Sequence, residues 1–399
     1  MTDSVPKELI FARDMFGKYY REHTIHAPPR SEAREFGFMF FDRTFVHRHI
    51  HFHGEGELND YLRGRSPSHG YYSAARYARP DADTMAEKGW EGADLIFDLD
   101  ADHVKGSEKL EYDRMLEQVK DVLIRLYDDY ITGDLGFGEK ETEIVFSGGR
   151  GYHIHIYSSS VAQLGSHERR EIVDYITGNG LDVSMLFRRQ VVGVDEKTGK
   201  KITSMRAPSA MEGGWYARAA RALEMALEHA TDMGTILKFL TDAGLNERQA
   251  GRMASVLVEM GGRDRIKDTG LIDVFARSGR YDDSMSFAAM LTKIASETMA
   301  GQTDEPVTSD VHRLIRIPGT LHGKTGLKVI SMTRNSLDSF NPLEDAVARF
   351  DDSEVTVISR TAFETPPFMG ERVRLNEGKN RLPSNLALFL ILRRQVQLP

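Results

Sequence analysis

Three short stretches of this 399-residue chain carry residues that could do chemistry together. The first is Leu95-Ile-Phe-Asp-Leu-Asp100, an apolar run that ends in two aspartates one residue apart. Alternate side chains of a strand share a face, so Asp98 and Asp100 project together while Phe97 and Leu99 face a core. Two close carboxylates repel each other and stay ionised only with a cation between them. Oxygen-only ligands favour Mg²⁺ or Mn²⁺ over zinc. The second stretch is Phe146-Ser-Gly-Gly-Arg-Gly-Tyr-His-Ile-His155. Its glycines let the backbone turn tightly and approach a ligand. Ser147 and Arg150 would line such a turn, with His153 and His155 on one face of the strand after it, a set that suits a phosphate or triphosphate better than a metal.

The third stretch is Arg313-Leu-Ile-Arg-Ile-Pro-Gly-Thr-Leu-His-Gly-Lys-Thr-Gly326. It looks like a phosphate loop, but only three residues separate Gly319 from Gly323-Lys324-Thr325, where that motif needs four. The residues that follow, Leu327 to Met332, read as a strand and not as the required helix. Phosphate held here must therefore be held by side chains, with Arg316, His322 and Lys324 as candidates. Just upstream, Asp304 can bring a third carboxylate to Asp98 and Asp100. Two metals among three carboxylates, with basic groups opposite, form the equipment of nucleotidyl transfer. A fourth pattern, His47, His49, His51 and His53, would put four imidazoles on one strand face. Imidazoles two residues apart on one strand rarely close a zinc tetrahedron. Arg48, on the other face, is the more interesting residue.

The rest of the sequence bounds these readings. No cysteine is present, which excludes disulfides, thiolate zinc sites, iron–sulfur clusters and cysteine nucleophiles. The opening residues lack a secretory pattern and no apolar run approaches membrane length, so a cytoplasmic protein with no membrane partner is expected. The net charge of −8 argues against a generally sticky nucleic-acid binder. Yet from Val311 to Leu337 there are five Arg or Lys and no Asp or Glu, a basic island suited to a polyanion.

The elements that must position these residues follow from periodicity. Lys7 to Tyr20 reads as a helix, Glu35 to Phe41 and Thr44 to Phe52 as strands, and Tyr71 to Ala78 is ambiguous. Ala93 to Asp100 is a strand and Leu110 to Ile131 the clearest helix. Glu143 to Phe146 and Tyr152 to Tyr157 bracket the glycine turn. From about Ser166 to Ala300, Ala, Leu and Met recur at helical spacing, with Asn246 as an N-cap three residues before Gln249. Strand character returns at Leu327 to Met332 and Glu354 to Ser359, and Ser384 to Arg394 is a helix. The expected fold is α+β: a mixed or antiparallel sheet core over residues 1–165 and 301–399, with a helical insertion over 166–300.

Taken in order, Arg34 to Phe38 (REFGF), F-D-L-D-A-D, S-G-G-R-G-Y-H-I-H and the run from Asp304 to Gly326 resemble the catalytic small subunit of archaeal and eukaryotic-type DNA primase. The likeness spans nearly the whole chain and reaches the tail from Pro366 to Leu390. It implies short-primer synthesis, of RNA or DNA, on a single-stranded DNA template for replication. Asp98 and Asp100 fall on the paired metal-binding aspartates, for Mg²⁺ or Mn²⁺, and Asp304 best matches the third, with Asp310 the weaker substitute. Ser147, Arg150 and His153 fall on a nucleotide-phosphate motif, Arg316 and His322 on triphosphate contacts, and Arg48 on a further phosphate-contacting arginine. Lys324 joins the same basic loop. The resemblance also implies NTP or dNTP substrates and a large regulatory subunit as heterodimer partner. Many family members carry a Cys/His zinc module between the D-x-D strand and the S-G-x-R-G motif. Here that interval has no cysteine and one histidine, His103, so no structural zinc is expected. Two other readings stay open at this point: a repair or end-joining polymerase of the same superfamily that only extends existing ends, and a non-catalytic nucleic-acid-binding subunit.

Overall fold

A computed structural model describes residues 6–104, 106–196, 199, 201–278 and 281–399. The chain forms two compact units. One comprises the residues up to Asp128, Gly136–Val173 and Gln302–Pro399, the other Asp129–Leu135 and Asp174–Gly301.

Eight strands of the first unit position the site: β1 (Phe36–Met39), β2 (His47–Ile50), β3 (His69–Ser73), β4 (Leu95–Asp100), β5 (Thr142–Phe146), β6 (Gly151–Ile156), β7 (Leu314–Arg316) and β8 (Ile330–Met332). They make two antiparallel sheets, ordered β7-β3-β1-β2 and β8-β5-β6-β4. The fold is thus α+β with antiparallel sheets. Period-two alternation explains β1: Phe36 and Phe38 are both fully buried. They share a core with Tyr72 of β3, Ile315 of β7 and Ile96 of β4, closed by Phe16 and Tyr20 of the helix Lys7–Glu22 and by Leu388 of the helix Ser384–Leu392. Each such side chain contributes about 1.5–3 kcal/mol through burial.

Buried charge fixes where β4 starts. Asp94, one residue before it, pairs with Arg34 at 2.5 Å and with Arg76 at 2.6 Å. Arg34 also donates to the carbonyls of Ser73 and Ala74, at the end of β3, and Arg169 donates to those of Ala93 and Asp94. These arginines clamp the first sheet to the strand that carries Asp98 and Asp100.

Several elements differ from the sequence reading. The strand expected over Thr44 to Phe52 shrinks to β2, and even there the register shifts where His49 takes a left-handed φ of 63°. That break in alternation dissolves the shared histidine face. His47 contacts Arg43, His49 donates its backbone N–H to Glu35, and His51 meets the Glu32 carbonyl. The helix expected to Ile131 is regular over Tyr112–Arg125 and widens into a π turn over Leu126–Thr132. The ambiguous Tyr71–Ala78 run is divided between β3 and a strand at Ala75–Tyr77 that pairs with Trp90–Ala93. Leu327 and Lys328 make isolated bridges, so β8 starts only at Ile330.

The second unit is mostly helical, with helices at Gly214–His229, Met233–Asp242, Glu247–Val258, Gly262–Thr269 and Tyr281–Met299. Ala219, Ala222, Leu240, Met253 and Leu291 are buried on their inner faces. Asn246 caps its helix by accepting the Gln249 N–H at 2.9 Å, as its spacing predicts. The antiparallel hairpin of Arg188–Val194 and Lys201–Arg206 is not legible in the Ala/Leu/Met texture around it. Among the described residues, no helix is long and apolar enough to cross a membrane.

Candidate active site

The site is assembled by the ladder between β4 and β6, in which Asp98 opposes His153 and Asp100 opposes Gly151. A Cβ at Gly151 would lie 2.1 Å from the Leu99 carbonyl oxygen, so only glycine allows this pairing. Phe97 and Leu99 are buried as expected, and the two aspartates share the opposite, partly open face. His153 Nε2 lies 3.2 Å from Asp98 Oδ1. Arg150 lies 3.1 Å from Asp100 Oδ1 and also pairs with Asp102. Burial pushes the Asp98 carboxyl up, but the imidazole of His153, then Arg313 and His103, outweigh it and hold its pKa below the usual range.

Asp304 arrives from the far end of the sequence. Its backbone N–H donates to the Asp98 carbonyl at 2.9 Å, and its carboxylate lies 3.6 Å from His103 Nε2. Each of the three carboxylates therefore faces a basic side chain. Among the described residues, no three Asp, Glu, His or Cys side chains already converge as a ligand group. The donor chemistry of Asp98, Asp100 and Asp304 is all oxygen, which fits a hard divalent cation once the basic neighbours give way.

The glycine turn holds itself and the basic loop. Ser147 donates its backbone N–H to the Gly151 carbonyl at 3.0 Å, and Ser147 Oγ accepts from the Gly149 N–H at 3.3 Å. Gly148 has φ of 75°, and a Cβ there would sit 2.8 Å from His322 Cβ. Thr325 Oγ1 donates to the Gly148 carbonyl and Tyr112 to that of Gly149, both at 2.5 Å. The loop between β7 and β8 is thereby pressed onto the turn that carries Arg150.

Within that loop, His322 Nδ1 accepts the Lys324 backbone N–H at 3.3 Å, which leaves the ring proton on Nε2. Burial first, then the charges of Arg316, His69 and Lys324, keep its pKa well below 6.5. Arg316 donates to His69 Nδ1 at 2.6 Å and lies 5.2 Å from the centre of the Tyr71 ring. Asp98, Asp100, Ser147, Arg150 and His153 line one cleft of about 1330 Å³ together with Arg316, His322 and Lys324.

Two residues singled out in the sequence stand outside that lining. Asp304 meets the cleft only through its link to Asp98. Arg48 grips both oxygens of the fully buried Glu35, at 2.9 and 3.1 Å, with Lys88 also 3.7 Å from that carboxylate. Conversely, Arg313, Arg360, Arg393 and Arg394 line the cleft without having been singled out as site residues. Arg313 belongs to the basic island and could have been found there. The other three carry no local signal, because only tertiary folding brings them to the cleft.

A family model described as DNA primase small subunit matches residues 97–334, which span the D-x-D strand, the glycine turn and the basic loop. The chain is similar to the DNA primase small subunit PriS of Methanocella arvoryzae, 41% identical over 396 residues that cover 96% of each chain. It is 42% identical to that of Methanothrix thermoacetophila over 398 residues, 97% of this chain and 98% of the relative. The Thermoplasma volcanium protein of the same name is 35% identical over 394 residues, 98% and 97% of the two chains. With the family model covering more than half of its length and relatives matching it nearly end to end, the chain belongs to the DNA primase small subunit family.

Proposed function

We propose that this chain is the catalytic subunit of a DNA primase, a nucleotidyltransferase that joins NTPs or dNTPs into short primers on single-stranded DNA. The observation that carries the reading is one cleft in which Asp98 and Asp100 stand beside Arg150, Arg316, His322 and Lys324. A non-catalytic binder would have no use for two carboxylates facing a phosphate backbone.

In this reading Asp98, Asp100 and Asp304 would hold two divalent cations, Mg²⁺ or Mn²⁺, which would supply Lewis-acid activation of a hydroxyl and neutralise charge on the leaving pyrophosphate. The protein's own groups do the positioning. Arg316 presents a guanidinium braced by His69 and Tyr71, so its direction is set before a nucleotide arrives. His322, neutral with its proton on Nε2, is an N–H donor to phosphate oxygen, and Lys324 adds a mobile positive charge. Arg150 is drawn between the carboxylates and the phosphate tail, and a triphosphate competes with Asp100 and Asp102 for it. His153 orients the Asp98 carboxylate. Arg48 would have to exchange Glu35 for phosphate to contact a nucleotide. A large regulatory subunit completes the proposed enzyme as a heterodimer.

Primer synthesis by the purified chain, with and without its partner subunit, on single-stranded DNA with Mg²⁺ or Mn²⁺ tests the proposal. Products started from free nucleotides support it. Activity only on a pre-annealed primer selects the end-extending polymerase, and binding without synthesis selects the non-catalytic subunit.

A further inference from the structure

The C-terminal helix Ser384–Leu392 ends in two consecutive arginines that the site as described so far does not use. Arg393 is half-buried, stacked with its guanidinium carbon 3.9 Å from the centre of the Tyr112 ring. Tyr112 is the residue whose hydroxyl holds the Gly149 carbonyl, so Arg393 packs against the support of the glycine turn. Among the described residues, no Asp or Glu forms an ion pair with Arg393, Arg394 or Arg360. The buried Arg393 Nε has no hydrogen-bond partner at all. Burial first, and the like charge of Arg150, pull the Arg393 pKa down against the opposing pull of Tyr112. A cation that is desolvated, set near another cation and given no carboxylate costs stability unless an anion comes to it.

Arg394 repeats the cost in its backbone. The helix closes with paired bonds from the Gln395 N–H to the Leu390 carbonyl and from the Arg394 N–H to the Ile391 carbonyl, both at 2.9 Å. That closure places Arg394 at the position glycine usually fills, and its φ is 59°. A side chain there is strained, and strain of this kind collects at ligand sites. The cleft itself, at about 1330 Å³, exceeds the roughly 300–1,000 Å³ of ordinary small-molecule sites.

We infer that Arg393 and Arg394, with Arg360 beside them, form a second phosphate-binding wall of the cleft, separate from the Arg316–His322–Lys324 loop. The inference rests on the primase reading for the source of the phosphate, either a backbone phosphate of a bound strand or the tail of a second nucleoside triphosphate.

The test compares the full-length wild type with Arg393→Gln and Arg394→Gly. Two probes are titrated without catalysis: inorganic tripolyphosphate, and single-stranded oligo(dT) across a salt series. Glycine relieves the left-handed strain, so Arg394→Gly should raise Tm by about 2 °C. Affinity for at least one probe should nevertheless drop by about tenfold in each variant. If the strand is the source, the slope of log affinity against log salt falls by about 0.7 per arginine removed, with tripolyphosphate binding kept. If a triphosphate is the source, tripolyphosphate binding weakens and the slope stays. Both variants binding both probes within about twofold of wild type overturns the inference. Should the wild type bind both probes but make no primer, the primase reading fails on its own and the binding result still stands.

Discussion

Asp98 and His153 face each other across an antiparallel ladder, with the imidazole Nε2 3.2 Å from the carboxylate. The contact shows which way Asp98 points, and it sets a basic ring against one of the carboxylates proposed to hold the cations.

A pH signature follows from that pair. The folded Asp98 pKa lies below its ordinary 3.8, so the pairing adds stability above that value and loses it as pH falls through the folded one. His153→Gln removes the leading cause of the depression. Thermal unfolding from pH 6 to pH 2 should show a variant less stable than wild type at the upper end, the gap closing below about pH 4. A gap that widens in acid would contradict the assignment.

The basic loop should act on nucleotide rather than template. Arg316→Ala and His322→Ala each remove a charged or donor group worth about 1.5–3 kcal/mol to a phosphate, or roughly 10- to 150-fold in nucleotide KM. Oligo(dT) binding should change by less than about threefold. The reverse pattern would move both residues to the template.

His69 and His322 are shifted in the same direction as Asp98, but from a higher ordinary value. Burial first, and neighbouring positive charge, hold both well below 6.5. The unfolded chain therefore takes up protons near pH 6.5 that the folded chain refuses, and stability falls as pH drops through that value. His322→Gln should flatten the decline in Tm between pH 7.5 and pH 5. An unchanged slope would mean that His322 is not held neutral.

What the sequence made legible was the local chemistry. Period-two alternation put Asp98 and Asp100 on one face, and the glycines of the 147–151 turn marked a close approach that His322 and Leu99 do make. Hidden from it were contacts without local period. Nothing local marks Arg34 and Arg169 for burial, yet both are 1% exposed, each satisfied by carbonyls or a carboxylate distant in sequence. The histidine stripe obeyed strand alternation on paper until one residue, His49, took a positive φ. Arg393 reaches the glycine turn only because the C-terminal helix packs beside Tyr112.

The arginine clamp should matter for stability alone. Arg34→Met leaves Asp94 buried with only Arg76 and strips a donor from three carbonyls, those of Pro29, Ser73 and Ala74, a loss of about 3–5 kcal/mol. Denaturant unfolding measures it, and a loss under about 1 kcal/mol would show that the clamp is not needed to hold β4.

The most direct test of the carboxylate-centred account is primer synthesis on single-stranded DNA by Asp98→Asn beside wild type, with Mn²⁺ and saturating nucleotide. Asparagine keeps the shape of the side chain and its place in the ladder but gives up the charge. A rate lower by about 10³-fold, with folding and oligo(dT) binding retained, is the predicted result. Synthesis within about threefold of wild type would contradict it.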